Sequence, residues 1–179
     1  MHGLSHLAFG NANPRVAQNP KIAAETWAKI VPAICTLDED RASPFAAKVA
    51  ARQVGDLNMV AAALTSATIK VEASQGWQLI IPFSGDGTMK SDQTDMAIEG
   101  GRQGLLLPNM GRTTSCTTQM IVTAHMAISK LRATASTMIG SDDERLLSDD
   151  RPYAIDMRHQ QEIFFAFKHL CDLIEVSSP

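Results

Sequence analysis

Between Phe45 and Met126 the chain offers no stretch both long enough and periodic enough to be a helix. Apolar and β-branched residues come in short bursts there, and Gly, Asn and Asp punctuate them. Candidate strands fall at 45–54, 57–64, 67–73, 77–83, 87–91, 94–98, 103–107, 113–117 and 119–127. "VGDLN" at 54–58 has a Gly-Asp pair suited to a hairpin turn, and "KSDQTD" at 90–95 is a polar turn between "GTM" and "MAI". Parallel strands need long crossover connections, usually helices, and none interrupts this region. What remains is an antiparallel barrel or sandwich.

The flanks read differently. "NPKIAAETWAKIVPAI" offers Asn19 as a helix N-cap and Pro20 at the first helical position. Trp27, Ile30, Val31 and Ile34 share one face, and Pro32 should kink or end the helix near its last turn. Residues 1–18 have no period and read as a loose arm, and "TLDEDRASP" reads as a polar loop. After Met126, Ile128, Leu131, Ala135 and Met138 fall on a helical face with Gly140 as its C-cap, and "SDDERLLSDDRP" is a charged, exposed connector. The strongest helix is "DMRHQQEIFFAFKHLCDLIEV". Phe164, Phe167, Cys171 and Ile174 step along one face, while Ile163, Phe165, Leu170 and Leu173 lie on neighbouring ones. An apolar arc this wide exceeds what one barrel face needs. Either the helix is buried on two sides within one domain, or it gives one face to a second subunit. The second reading makes Phe164, Phe165, Phe167, Leu170 and Ile174 a dimer interface. The expected organisation is a loose arm at 1–18, an N-terminal helix plus barrel at 19–140, and a connector with a dimerisation helix at 141–179.

Composition narrows the function classes. Hydrophobic residues make up 45% and charged residues 20%, enough for a packed core, and the formal net charge is −3 with no basic patch. No apolar run approaches the ~20 residues of a membrane span, and "MHGLSHLAFGNANPRV" lacks the pattern of a secretory signal. Cysteines at 35, 116 and 171 form neither a metal pattern nor a disulfide framework, which suits a reducing, cytoplasmic setting.

Catalytic patterns are weak throughout. The glycines of "EGGRQGLLLPNMGR" and "FSGDG" suit tight turns and barrel corners, and no Lys-Ser or Lys-Thr pair follows to make a phosphate loop. Cys116 has no evident base partner, and Asp86, Asp92, Asp95 and Glu99 sit where solvated turn formers are expected. Of five histidines only His125 lies in the strand region, too few for a metal site, so no metal, cofactor or catalytic residue is expected. The candidate ligand-binding residues are Trp77, at the start of "WQLIIPF", with Gln78, Arg112 and His125. Arg112 either pairs with an anionic effector or lies in solvent, and Trp77 either lines a pocket or belongs to the core.

The stretch "GWQLIIPFSGDGTMKSDQTDMAIEGGRQGLLLPNMGR", followed by "QMIVTAHMAISKLRATASTMIG", resembles the N-terminal regulatory domain of AraC-type transcription regulators. The likeness covers roughly residues 45–175, and it rests on the order and spacing of the glycines, "LLLP" and "NMGR". It implies a mainly β fold with flanking helices: a cupin-like antiparallel barrel of the double-stranded β-helix type, followed by C-terminal helices. It also implies a bacterial homodimer that senses a small-molecule effector and is not an enzyme. Such a protein binds DNA only through a C-terminal helix-turn-helix domain that this chain does not contain, with no membrane contact. Two rivals stand beside this reading. One is a small cupin metalloenzyme, although no His-x-His is present and Arg112 stands where a histidine would follow the Pro108 turn. The other is a ligand-free structural dimerisation module.

Overall fold

The computed structural model describes residues 4, 6–30, 34–39, 44–72, 77–92, 94–108, 110–117, 119–127, 129, 130, 133, 137 and 151–177. Its strands are β1 (Arg15–Ala17), β2 (Ile34–Glu39), β3 (Ala47–Val54), β4 (Leu57–Leu64), β5 (Ala67–Val71), β6 (Trp77–Ser84), β7 (Asp86–Lys90), β8 (Asp95–Glu99), β9 (Gln103–Leu107), β10 (Arg112–Cys116), β11 (Gln119–Met126) and β12 (Tyr153–Asp156). Helix α1 spans Pro20–Ala28, and helix α2 spans Gln161–Val176. Each strand from β3 to β11 coincides with a segment expected from the sequence.

Pairing explains the architecture. β7 pairs with β8, β6 with β9, β5 with β10 and β4 with β11, all antiparallel. Such nesting is that of one long antiparallel ribbon whose tip lies between Lys90 and Asp95, where the Ser91 N–H donates to the Thr94 carbonyl at 2.9 Å. The ribbon folds over itself, which distributes its strands between two sheets. One is seven-stranded, ordered β1-β3-β4-β11-β6-β9-β12, and the other five-stranded, ordered β2-β5-β10-β7-β8. This is the double-stranded, mainly antiparallel barrel that the sequence suggested.

Two glycine corners let the ribbon cross between sheets. Gly85, with φ +82°, turns the chain from β6 into β7, and Gly100-Gly101 turns it from β8 into β9. The corners rest on each other: a Cβ at Gly100 would lie 2.6–2.7 Å from backbone atoms of Ser84 and Gly85. The Gly101 N–H donates to the Pro82 carbonyl at 2.7 Å. Of the glycines in "EGGRQG", Gly100 is therefore needed for backbone-on-backbone packing and Gly101, with φ +71°, for the left-handed turn.

The seven-stranded sheet is covered on both sides. β4 is buried along Met59–Leu64 without a break. Val60, Ala62 and Leu64 face inward, joining Val49, Ile69 and Val71 and residues Ala23 and Trp27 of α1. Met59, Ala61 and Ala63 face outward, joining Val122, Ala124, Leu7 and Phe9 and residues Cys171 and Ile174 of α2. Alternation along a strand therefore serves two cores at once.

Several expectations need correction. Residues 1–18 are no loose arm where they are described: Leu7 and Phe9 are buried, and β1 pairs with β3 from Arg15↔Val49 to Ala17↔Ala47. The Glu175 carboxylate of α2 ties this segment down. It accepts from the Gly10 N–H, from the Asn11 N–H at 3.3 Å and from Asn11 Nδ2 at 3.1 Å. Helix α1 begins as expected, with Asn19 Oδ1 accepting from the N–H groups of Lys21 and Ile22 at 2.9 and 3.3 Å. It ends at Ala28, however, so Ile30 lies beyond it and Ile34 opens β2; a residue preceding a proline disfavours helical angles. Part of "TLDEDRASP" belongs to β2, and Tyr153–Asp156, directly after the connector, form β12 on the edge beside β9. Ser129, Lys130, Ala133 and Thr137 are helical. Val31, Pro32, Ile128, Leu131, Ala135, Met138, Gly140 and residues 141–150 lie outside the described residues.

The corner contact makes a direct test. Gly100→Ala should cost about 1–3 kcal/mol of unfolding free energy, because the added methyl meets backbone that cannot move aside. Gly55→Ala, at φ +57° with open space around it, should cost about 1–2 kcal/mol from backbone strain alone. Urea unfolding of both variants measures the difference.

Candidate functional site

The space between the sheets narrows to a cavity of about 70 Å³. Ten of its lining residues are apolar, among them Trp27, Val60, Ala62, Ile69, Ile80 and Ile98; the four polar ones are Gln78, Arg112, Thr114 and Thr123. Among the described residues, the buried polar side chains are Gln78, Arg112 and Thr123. All three face this one cavity.

Their hydrogen bonds run in a defined direction. The Arg112 guanidinium carries only donors. One N–H goes to Gln78 Oε1 and another to the Met110 carbonyl at 3.4 Å. With Oε1 taken, the amide nitrogen of Gln78 faces His125 and donates to Nε2 at 3.3 Å. Nε2 must then be an acceptor, so Thr123 Oγ1, at 3.1 Å, donates to it as well, and the imidazole proton sits on Nδ1. A protonated His125 would point an N–H at the Gln78 amide nitrogen, which can only donate. Burial, reinforced by the Arg112 charge, accordingly lowers the His125 pKa to about 4. Burial alone lowers Arg112 to about 10. Among the described residues no carboxylate pairs with Arg112.

The sequence-derived candidates divide. Gln78, Arg112 and His125 come together as one chain of hydrogen bonds. Trp77 does not join them: it neighbours Gln78 on a strand, so the two side chains face opposite sides. Its buried indole stacks on Tyr153, with ring centroids 6.2 Å apart, and the indole in the cavity wall is Trp27 of α1. The sequence signal for Trp27 is its place on the apolar face of the N-terminal helix. Of the five expected interface residues, Ile174 is buried on the chain's own sheet and Phe167 and Leu170 pack against the same cluster. Phe164 meets Phe83 with centroids 5.4 Å apart, and Phe165 is 60% exposed. Ile163, Leu173 and Val176 are exposed too.

Other chemistry is poorly supplied. Among the described residues no three His, Cys, Asp or Glu side chains stand together as a metal site. His6, His159 and His169 are exposed, and a divalent cation would meet the Arg112 charge beside His125. The donor set thus does not fit the metal that a cupin-type barrel can carry. Burial raises Cys116 to about 11, and burial followed by the Asp172 charge raises Cys171 to about 12, so neither is a ready thiolate. Asp86, Asp92, Asp95 and Glu99 are exposed. Among the described residues, no helix is long and apolar enough to cross a membrane.

No protein-family model matches the sequence, and no curated protein does. Solved structures do. The AraC-like transcriptional activator CuxR matches over 72% of this chain and 52% of its own, with 13% identity and a TM-score of 0.54. This chain thus spans about half the length of CuxR. The Cupin 2 domain of an XRE family transcriptional regulator from Enterobacter cloacae matches 45% of this chain and 95% of its own, with 10% identity and a TM-score of 0.38. A cupin-like protein from Thermotoga maritima MSB8 matches 46% of this chain and 71% of its own, with 12% identity and a TM-score of 0.37. The fold is shared with CuxR: a two-sheet antiparallel cupin-like barrel with flanking helices, as the resemblance to AraC-type regulators implies.

The His125 environment predicts a pH dependence. The unfolded imidazole titrates near 6.5 and the folded one near 4, so the unfolded chain binds more protons between those values. Stability from this group is full above pH 6.5 and is lost as the pH falls towards 4, by about 3 kcal/mol over the whole window. His125→Gln should flatten that slope in urea unfolding between pH 7 and 4.5.

Proposed function

We propose that this domain is the regulatory part of an AraC-type transcription regulator, with the barrel lumen as effector site and α2 as the surface on which two copies meet. The observation that carries the sensing half is Arg112: a guanidinium 8% exposed, in a largely apolar lumen, held by an amide and a carbonyl. Burying a charge is expensive, and a filled structural core would place an aliphatic residue there. The likeness to CuxR supports the regulatory setting through the fold.

The dimer half draws on α2. Its inner side is held by the barrel, yet Phe165 is 60%, Leu173 53% and Val176 86% exposed. Such an apolar stripe suits a second copy of the same helix. A ligand that favours one packing of barrel and helix would then change the geometry of the pair. DNA reading is assigned to a helix-turn-helix domain outside this chain, in the cytoplasm, and no catalysis is assigned to the barrel.

Sedimentation equilibrium tests the assembly. The chain should run at twice its 19.3 kDa mass, and the double variant Phe165→Arg, Leu173→Arg should run as a monomer with a similar melting temperature. A monomer at high concentration overturns the dimer. A stoichiometric transition metal in the purified protein would favour the cupin-enzyme reading instead.

A further inference from the structure

We propose that the lumen binds a small aliphatic monocarboxylate, its carboxylate paired with Arg112 and its hydrocarbon end against Ile69, Ile80 and Ile98. This deepens the reading of the lumen as an effector site and rests on it. Three observations lead to the ligand class.

The first is charge. Arg112 has five N–H donors, of which Gln78 and Met110 take one each, and the rigid fork of a guanidinium matches two carboxylate oxygens. Among the described residues its partners are neutral, which leaves the positive charge itself uncompensated in a largely apolar space. The second is the remaining wall. Among the described residues, besides Arg112 the cavity offers only Gln78, Thr114 and Thr123 as polar groups, and Gln78 and Thr123 are engaged with His125. A second negative charge would therefore face isoleucine and valine. A sugar would leave its hydroxyls unpaired there, at a cost in desolvation. A single charge with an apolar remainder fits, and a dianion or polyol does not. The third is size. The volume is about 70 Å³, and a cavity of about 150 Å³ holds benzene, so the space suits a ligand of about two to four carbons.

Gln78 is the positioning residue. It holds the guanidinium from the side and passes the hydrogen-bond order back to His125. His125 remains neutral, so among the described residues Arg112 is the single full charge that the ligand meets.

The test uses the intact chain, with thermal shift and titration calorimetry at fixed ionic strength. Sodium propionate should bind and raise the melting temperature, while propionamide and inorganic phosphate should not. Arg112→Gln should weaken propionate about 10–100-fold. Ile98→Ala should move the preferred carboxylate to a longer chain. If Arg112→Gln fails to fold, Ala62→Leu keeps the guanidinium and narrows the lumen: it should lose propionate and keep formate. Equal binding of propionamide and propionate, propionate binding to Arg112→Gln at wild-type strength, or phosphate binding as tightly as propionate overturns the proposal. So does an Ala62→Leu variant that still binds propionate as the wild type does. A neutral metabolite that raises the melting temperature while every carboxylate is silent overturns the ligand class and leaves the lumen as a sensor. Silence from every compound overturns both.

Discussion

The structure depends on one strand being buried on both faces. β4 gives Val60, Ala62 and Leu64 to the lumen and Met59, Ala61 and Ala63 to the layer beneath α2. A strand in that position cannot shift its register by one residue, because the two sets would exchange cores. Its neighbours repeat the scheme: Val49 faces in and Ala50 out on β3, and Thr123 faces in and Ala124 out on β11. Alanine predominates on the outer side, and small side chains leave room for a helix and an N-terminal segment to lie on the sheet. Cys171, Ile174, Leu7 and Phe9 occupy that room. The Glu175 carboxylate, bonded to Gly10 and Asn11, fastens the two covering elements to each other. Burial raises its pKa, but hydrogen bonds from the Asn11 side chain and the Gly10 and Asn11 amides, with the Arg52 charge, bring it below its usual value. The ionised carboxylate is thus the form that the fold requires.

Inside the barrel the same economy of side chains produces a polar chain with a fixed sense. A cation that can only donate sets the amide of Gln78, the amide sets the acceptor nitrogen of His125, and Thr123 completes the imidazole's bonding. Each group is determined by the one before it, and the order begins at Arg112. Removing Arg112 would release the amide to turn over, and the imidazole would then lose the reason for its tautomer. Polar groups arranged this way specify one core arrangement, because a half-satisfied alternative is costly in a low-dielectric interior.

What was legible in the sequence follows from burial. The strands β3 to β11 were visible because they lie inside the two sheets or within the ribbon, where β-branched residues and turn glycines mark both ends. β1, β2 and β12 were not, since they are edges: "RVA" is three residues long, "ICTLDE" is half polar and "YAID" is short. Edge strands are short or charged for a physical reason, to discourage further pairing, and that removes the pattern by which strands are recognised. The site was partly legible. Arg112, with Gln78 and His125, was singled out as polar chemistry in an apolar region. Trp77 was misplaced because both it and Gln78 were assigned to the pocket, while alternation lets only one of two neighbours face inward. Trp27 was visible as part of a helix face, but which side of the barrel that face would close depends on long-range packing. The wide apolar arc of α2 was legible as a whole; how it divides between sheet and solvent was not, since that depends on which residues the alanine layer admits.

The thinness of the barrel wall is what joins lumen to surface. Between the cavity and α2 lies a single strand layer, in which consecutive residues of β4 alternate between the two. A ligand that pushed Val60 or Ala62 outward would act on the same backbone that carries Ala61 and Ala63. A tightly packed interior transmits such a displacement instead of absorbing it. The side chains that receive it, Phe167, Leu170 and Ile174, share a helix with the exposed Phe165 and Leu173. If the occupied lumen favours one seating of α2 over another, the free-energy difference between those seatings sets the upper limit of any coupling, as linkage requires. The chain therefore needs no separate relay between pocket and helix: the strand that forms the wall of one is the floor of the other.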